Sequence, residues 1–381
     1  MTTQTQTLPS SNGILIASLG GLVASMAVVA FTLLLGEGHA SFNTASSGVV
    51  WGLPVATYVY FVLTSTGLTF VASLAMVFGV QEFYPIAKRC VWLAIATLIA
   101  GFVALALEIG HPFRMLWAIP AGMQLASPLM WMGVFYALYL VLLVLKFQRV
   151  NGGDWSSGAS YGLGVASFVT VVLAHGTLGA VFGMMAMRPF WYGPLIPLYF
   201  LLTAALSGTA FAVLITYLAY GRQAAMPGRV RELMRGTMPK VFAAVLGISL
   251  VATVSRMATG LWSNADGLEV WSHVVASPWF WLEMAGMSVA FLLMLAPGTR
   301  GEGSMQLAAA VLVAVALFIG RYEYVIGGQL VPMFKGAWES GLAQYAPSLT
   351  EWMLTLLAVS LAFGIWALGE KRLNLAARPA E

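Results

Sequence analysis

The sequence predicts an all-α integral membrane protein of about ten transmembrane helices, and three observations carry that prediction. Of the 381 residues, 60% are hydrophobic and only 8% charged, against about 25% charged in a soluble domain. Apolar runs of the length that crosses a bilayer, about 20 residues, recur along the whole chain. No polar segment between them is long enough to build a soluble domain, so residues 1–381 read as a single polytopic membrane domain.

The segment Met1 to Ser11 is polar and uncharged. A cleaved signal peptide carries a basic segment before its apolar run, so the first run, near 13–35, is read as a retained helix. Further runs fall near 50–80, 89–108, 128–147, 160–187, 191–220, 239–262, 277–296, 305–326 and 349–369. The second, fifth and sixth exceed a membrane thickness, which calls for tilt or for extra turns outside the bilayer.

Ten spans put both termini on one side, and charge selects the side. Thirteen of the 18 basic residues lie in loops on the terminal side or in the tail: Lys88, Arg89, Lys146, Arg149, Arg222, Arg229, Arg231, Arg235, Lys240, Arg300, Lys371, Arg372 and Arg378. Arg114, Arg188, Arg256, Arg321 and Lys335 lie in or beside the opposite loops. By the positive-inside rule the termini are cytoplasmic, in a bacterial cell inner membrane with the opposite face periplasmic. The basic loop Gly221 to Lys240 reads as a contact for anionic membrane lipid.

Two helix starts hint at an internal repeat. Ser127-Pro128 and Ser277-Pro278 each place an N-cap serine before a proline at the first helical position. Each has a tryptophan three residues past the proline, Trp131 and Trp281. On this reading spans 2–5 and 6–9 form two related four-helix bundles, flanked by spans 1 and 10. Ser-Pro is also a common helix start, so chance competes with the repeat.

The acidic and histidine residues gather on the face opposite the termini: Glu37, His39, Glu108, His111, Asp266, Glu269, His273, Glu323 and Glu339. Ionisable groups at membrane depth cost a few kcal/mol or more unless paired or hydrated. Ordinary solvated loop charge accounts for Glu37, Glu339 and Lys335. The densest cluster is Glu108-Ile109-Gly110-His111-Pro112-Phe113-Arg114, a helix end broken by glycine and proline that offers a carboxylate, an imidazole and a guanidinium. Such a set can relay protons while holding a polar headgroup. A second cluster is Arg188-Pro189-Phe190-Trp191-Tyr192, and a third is Arg321-Tyr322-Glu323-Tyr324. Aromatic belts anchor helices at interfaces, which accounts for Trp191 and Tyr192 but not for arginines on the face that disfavours them. Within the spans, His175 lies midway along the fifth, while Arg256 and Glu283 lie at similar depth on the seventh and eighth, where a pair is expected.

Several chemistries are excluded or disfavoured. The single cysteine, Cys90, cannot supply a disulfide, a zinc site or an iron–sulfur cluster, and it reads as a small packing residue. Only four histidines are present and only one is deep in a span, so no bis-histidine haem can be built from span residues. A His/Met haem is formally open with 20 methionines, but methionine is common in apolar packing. There is no phosphate-binding loop and no metal-ligand cluster, and the net charge of +4 gives no nucleic-acid footprint.

The motifs together resemble the NrfD/PsrC family of polysulfide-reductase-type membrane subunits. The resemblance rests on the Glu108 to Arg114 element and on Ser127-Pro128-Leu129-Met130-Trp131-Met132-Gly133, with Trp51-Gly52-Leu53-Pro54 opening the second span. The tail, from Arg321-Tyr322 through Gly327-Gly328-Gln329 and Pro332 to Tyr345-x-Pro347-Ser348-x-x-Glu351, looks like the ten-span branch. The family element usually carries aspartate and arginine where Glu108 and His111 stand. That substitution keeps the acid but puts the replaced arginine's headgroup contact in doubt, and Arg114 is a candidate to supply it.

The resemblance implies a haem-free membrane anchor that binds quinone (menaquinone or ubiquinone). It also implies an extrinsic four-cluster-type iron–sulfur subunit and a catalytic subunit of molybdopterin type as partners. Glu108 and His111 are then the expected proton acceptors. Arg114, Trp131, Arg188, Trp191 and Tyr192 are the expected quinone contacts, and His175, Arg256 and Glu283 the expected proton path. The competing expectation is a secondary transporter, which the repeat and the intramembrane charges would suit. Against it, both repeat copies start from the same face, and no pair of broken spans falls at matching depth.

Overall fold

The structure, a computed structural model, describes residues 9–44, 48–263, 267–332 and 341–379. Asp266, Lys335 and Glu339, placed on the acidic face by sequence, lie outside the described residues. Ten of the described helices are long and apolar enough to cross a membrane, and the chain is a multi-pass membrane protein. Span 1 is Pro9–Ala30, continued by a π-helical turn Phe31–Leu35. Spans 2 to 5 are Leu53–Met76, Tyr84–Glu108, Pro128–Asn151 and Gly158–Gly183. Spans 6 to 10 are Ile196–Tyr220, Thr237–Trp262, Pro278–Leu295, Gly303–Gly327 and Leu349–Arg372.

Helices are the expected solution because hydrocarbon offers the backbone no external hydrogen-bond partner. Their starts are written locally. Spans 2, 3, 4, 6 and 8 carry proline in the first two helical positions, where its missing N–H is no loss. Span 10 opens with a capping box between Ser348 and Glu351. The overlong second, fifth and sixth apolar runs extend past their helix ends into the adjoining loops.

The helices pack as two closed rings. In the first, span 2 packs on span 3, span 3 on span 4, span 4 on span 5 and span 5 back on span 2. In the second, spans 6, 7, 8 and 9 close in the same order. Span 2 packs along span 6 and joins the rings, while span 10 lies on spans 3 and 2 and carries span 1 on its outer side. The two rings share a local form at their Ser-Pro starts. A short helix precedes each, Pro112–Ala121 in the first ring and Val270–Ala276 in the second. Trp131 Nε1 donates to the Leu125 carbonyl and Trp281 Nε1 to the Val275 carbonyl, each at 2.9 Å and each six residues back.

The join depends on two glycines. A Cβ added at Gly67 of span 2 would overlap the Ala204 carbonyl and the Gly208 amide, and one at Gly208 of span 6 would overlap the Gly67 backbone. One turn away, the Thr64 and Ser207 hydroxyls bond at 2.8 Å. Small residues let membrane helices approach until backbone and hydroxyl contacts hold them.

Three basic residues counted from sequence as loop charges lie inside helices and are buried. Arg89 pairs with Glu370 of span 10 and sits 4.9 Å from the Tyr220 ring. Lys88 donates to the Asn374 carbonyl at 2.6 Å. Lys146 donates to both the carbonyl and hydroxyl of Ser160 at 2.9 Å. Hydropathy locates these residues along the membrane normal, but partners from other parts of the chain set their burial. Glu37 is exposed, as a solvated loop charge should be, and Cys90 is fully buried in span 3.

Replacing Gly67 with valine is expected to destabilise the protein by about 1–3 kcal/mol through overpacking. Replacing Gly162, which faces open space, with valine is expected to change stability by less than about 1 kcal/mol. Thermal unfolding of the purified full chain in one detergent checks both, and equal effects would reject the crossing as a close contact.

Candidate functional site

The ends of spans 1, 3, 5, 7 and 9 and the starts of the even spans share the face that carries the acidic and aromatic clusters. Gly110, at φ +78°, makes the turn that ends span 3, a conformation glycine adopts without strain. His39 Nε2 bonds the Leu107 carbonyl at 2.9 Å, and its ring lies where a Cβ on Gly110 would be in tight contact. Glu108, the last residue of span 3, is half-buried, and its Oε2 is shielded with no hydrogen-bond partner among the described residues. His111 is the exposed N-cap of the helix Pro112–Ala121, and Arg114 is exposed on its first turn. Trp131 lies partly exposed at the start of span 4, stacked on Phe135 at 5.6 Å. Glu108, His111 and Arg114 thus share one turn of chain, with Trp131 on the next span.

Arg188 and Trp191 belong to a different place, the seam between the two bundles. Trp191 is almost fully buried, donates from Nε1 to the Tyr324 carbonyl at 2.7 Å and stacks on Trp51 at 5.4 Å. Arg188 Nη1 donates to the carbonyls of Gln329 and Val331 at 3.2 and 2.8 Å, and burial draws its pKa below the ordinary value. Gln329 is the clamp. Its Oε1 accepts from the Val50 and Trp51 amides at 2.9 Å, while its Nε2 donates to the Trp51 and Val325 carbonyls at 2.8 and 2.9 Å. Tyr192, next to Trp191 in sequence, is exposed.

A second clamp holds the start of span 2. Tyr345 donates to Glu351 and accepts from the Leu53 amide at 2.8 Å. Burial first, and then the bond to Glu351, push its phenol far above the ordinary value, so it stays a donor. Glu351 is fully buried and also accepts from the Ser348 and Asn43 amides at 2.7 and 3.3 Å.

The charges of the second bundle, buried Arg321 and Glu283 and half-buried Arg256, are dressed mainly by rings. The Arg256 guanidinium lies 4.6 Å from the Tyr324 ring, 4.8 Å from Phe190, 5.1 Å from Trp271 and 5.4 Å from Tyr199. It donates to the Phe190 carbonyl at 3.2 Å. Arg321 lies 4.7 Å from Phe200 and bonds the Thr203 hydroxyl. Glu283 is buried against Gly320, where a Cβ would strike its carboxylate.

The pair expected between Arg256 and Glu283 is not formed. Among the described residues the ion pairs within 4.0 Å are Arg89–Glu370 and Arg149–Asp154. Position along a span sets the depth of each group but not its direction around the helix, and the Arg256 side chain turns into the ring cluster.

His175 lies in the first bundle, fully buried. Its Nδ1 bonds Tyr136 Oη at 2.8 Å and Thr66 Oγ1 at 3.3 Å, and its ring lies 5.9 Å from Phe200. Tyr139, three residues beyond Tyr136, shares hydrogen bonds with Ser65 and Thr69 at 3.0 and 2.5 Å. On the same face of span 4, Lys146 reaches Ser160. These hydroxyls form a polar column toward the basic face. Sequence reading missed Tyr136 and Tyr139 because single tyrosines in a span resemble packing residues. Their spacing with Met132, Leu143 and Lys146 at threes and fours was the available signal.

Among the described residues no group of three or more His, Cys, Asp or Glu side chains is placed to hold a metal ion. The family profile for polysulphide reductase, NrfD, matches residues 41–333, and the chain belongs to that family. It is 25% identical to a selenate reductase subunit of Mesobacillus selenatarsenatis, over 87% of each chain. It is 23% identical to an Hdr-like menaquinol oxidoreductase integral membrane subunit of Archaeoglobus fulgidus, over 92% of this chain and 91% of that one. With protein NrfD of Escherichia coli it shares 25% identity over 74% of this chain and 96% of the relative.

Replacing Gln329 with leucine strands the Val50 and Trp51 amides and is expected to destabilise by about 2–5 kcal/mol. Thermal unfolding checks the loss, and a change below about 0.5 kcal/mol would remove Gln329 as the seam's clamp.

Proposed function

We propose that this chain is the haem-free, quinone- or quinol-binding membrane anchor subunit of a respiratory oxidoreductase complex. In this reading it exchanges electrons with an extrinsic iron–sulfur subunit on the acidic face, which is periplasmic, while its termini are cytoplasmic. The observation that carries the reading is Glu108, a half-buried carboxylate with a shielded oxygen that has no partner among the described residues, on the face that gathers the aromatic and acidic groups. Relatives named as a subunit of selenate reductase and as an integral membrane subunit of a menaquinol oxidoreductase support it.

Oxidation of a quinol releases two electrons and two protons. Glu108 and His111 are the groups we assign to accept protons, and exposed Arg114 and, at the start of the next span, Trp131 are the groups we assign to contact a headgroup there. Arg188 and Trp191 hold the seam between the bundles, where Tyr192, next in the chain, presents an exposed ring, and these three are assigned as further quinone contacts. His175, Arg256 and Glu283, with the hydroxyl column of span 4, form the proposed proton path. A catalytic subunit of molybdopterin type completes the assembly.

Glu108→Gln in the assembled complex is expected to lower quinol-dependent turnover at least about tenfold while the partner subunits still co-purify. His111→Ala is expected to act in the same direction. Unchanged turnover in either variant removes that residue from the site, and a stoichiometric haem absorption band in the purified chain would reject the haem-free reading.

A further inference from the structure

The acidic face holds a cavity that none of these assignments uses. It has a volume of about 610 Å³ and lies between the start of span 8, the end of span 9 and the stretch of chain leading into span 10. Glu323, His273 and Tyr322 supply its polar wall, while Trp279, Ile326 and Ala343 supply its apolar wall. The volume falls within the range of small-molecule sites, which combine an apolar lining with a few placed polar groups.

Glu323 is half-buried. It interacts with Ser277 and the Phe280 backbone, yet its Oε2 is shielded with no hydrogen-bond partner among the described residues. A buried carboxylate oxygen left without a donor is unfavourable, and a ligand hydroxyl would remove that penalty. His273 is exposed at the rim. The roof is fixed, because the Ala343 amide donates to the Leu330 carbonyl at 2.7 Å.

The ligand class follows from where the cavity opens. Trp279 is exposed and shares one helical face with Leu282 and Val289, both also exposed. In a bilayer that face of span 8 meets lipid, so the cavity joins a lipid-facing surface to a carboxylate, an imidazole and a phenol. A molecule that suits both parts has a hydrophobic tail and a flat ring bearing hydroxyl donors. We propose that this cavity is a second binding site, separate from Glu108, for the headgroup of a lipid-soluble hydroquinone. Its hydroxyls donate to Glu323 and His273, and its ring lies against Trp279 and Tyr322. The inference rests on the proposed quinol-binding function and adds a location on the second bundle.

The test uses the full chain in lipid nanodiscs, with a photoreactive azido-quinone for labelling and 2-heptyl-4-hydroxyquinoline N-oxide for fluorescence titration. Labelled peptides are expected to include residues 322–330 or 341–345 as well as the Glu108 region. Glu323→Gln is expected to weaken the affinity of the cavity about tenfold, the equivalent of one charge-assisted hydrogen bond. Ala343→Phe, which fills the cavity from the roof, should abolish labelling there and leave it intact near Glu108, with thermal unfolding reporting that each variant is folded.

Label confined to the Glu108 region, with both variants titrating as the parent, overturns the second site and leaves the proposed function standing. Loss of the cavity label on adding excess phosphatidylglycerol identifies a phospholipid as the occupant and also overturns it. No label anywhere in the chain overturns both.

Discussion

The close crossing of spans 2 and 6 is the constraint on which the rest of the structure depends. Gly67 and Gly208 bring the two backbones together, and the bundles can meet there only because neither residue carries a side chain. The approach allows the Thr64–Ser207 hydroxyl bond, and on the acidic side it closes the seam in which Trp51 stacks on Trp191. It also brings His175 of the first bundle to within 5.9 Å of the Phe200 ring of the second. A wider crossing would separate the polar column of one bundle from the cations of the other.

Burial without pairing marks the second bundle. In a soluble protein a buried arginine usually finds a carboxylate, and Arg89 does so with Glu370. Arg256 and Arg321 instead take ring faces and single oxygen acceptors. A ring face contributes about 0.5–2 kcal/mol to each such contact, so four rings around half-buried Arg256 offset much of the cost of its partial burial. Glu283 is buried against Gly320 and forms an ion pair within 4.0 Å with neither cation.

Much of the fold is legible in the chain because hydropathy and helix punctuation are local signals. Ser127-Pro128 and Ser277-Pro278 mark two span starts, and the tryptophan after each makes the same indole bond in the structure. The candidate site is legible in part. Glu108, His111 and Arg114 stay together because one turn of chain carries them. Arg188 and Trp191, grouped with them as expected quinone contacts, lie in the seam. Gln329 and Glu351 enter the sequence reading only as motif letters. Their partners Trp51 and Asn43 lie 278 and 308 residues away, and no local pattern encodes a contact of that span. Lys146 is read as a loop charge for the same reason, since Ser160 reaches it only after span 5 folds back along span 4.

The shared form of the two rings explains how two different polar interiors can occupy similar scaffolds. Each has a short helix, a Ser-Pro start and an indole bonded six residues back, so its backbone is held by features that leave the bundle interior unspecified. Into the first interior the sequence places Tyr136, Tyr139 and His175, groups that donate and accept hydrogen bonds. Into the second it places Arg256, Arg321 and Glu283, groups whose charge is fixed or shared. The first set holds its members by hydroxyl and imidazole hydrogen bonds, while the second holds its cations against ring faces. Because span 2 and span 6 touch, the His175 ring lies 5.9 Å from Phe200, and the Arg321 guanidinium lies 4.7 Å from the same Phe200 ring. Two similar helical frames therefore carry different polar interiors up to one shared crossing.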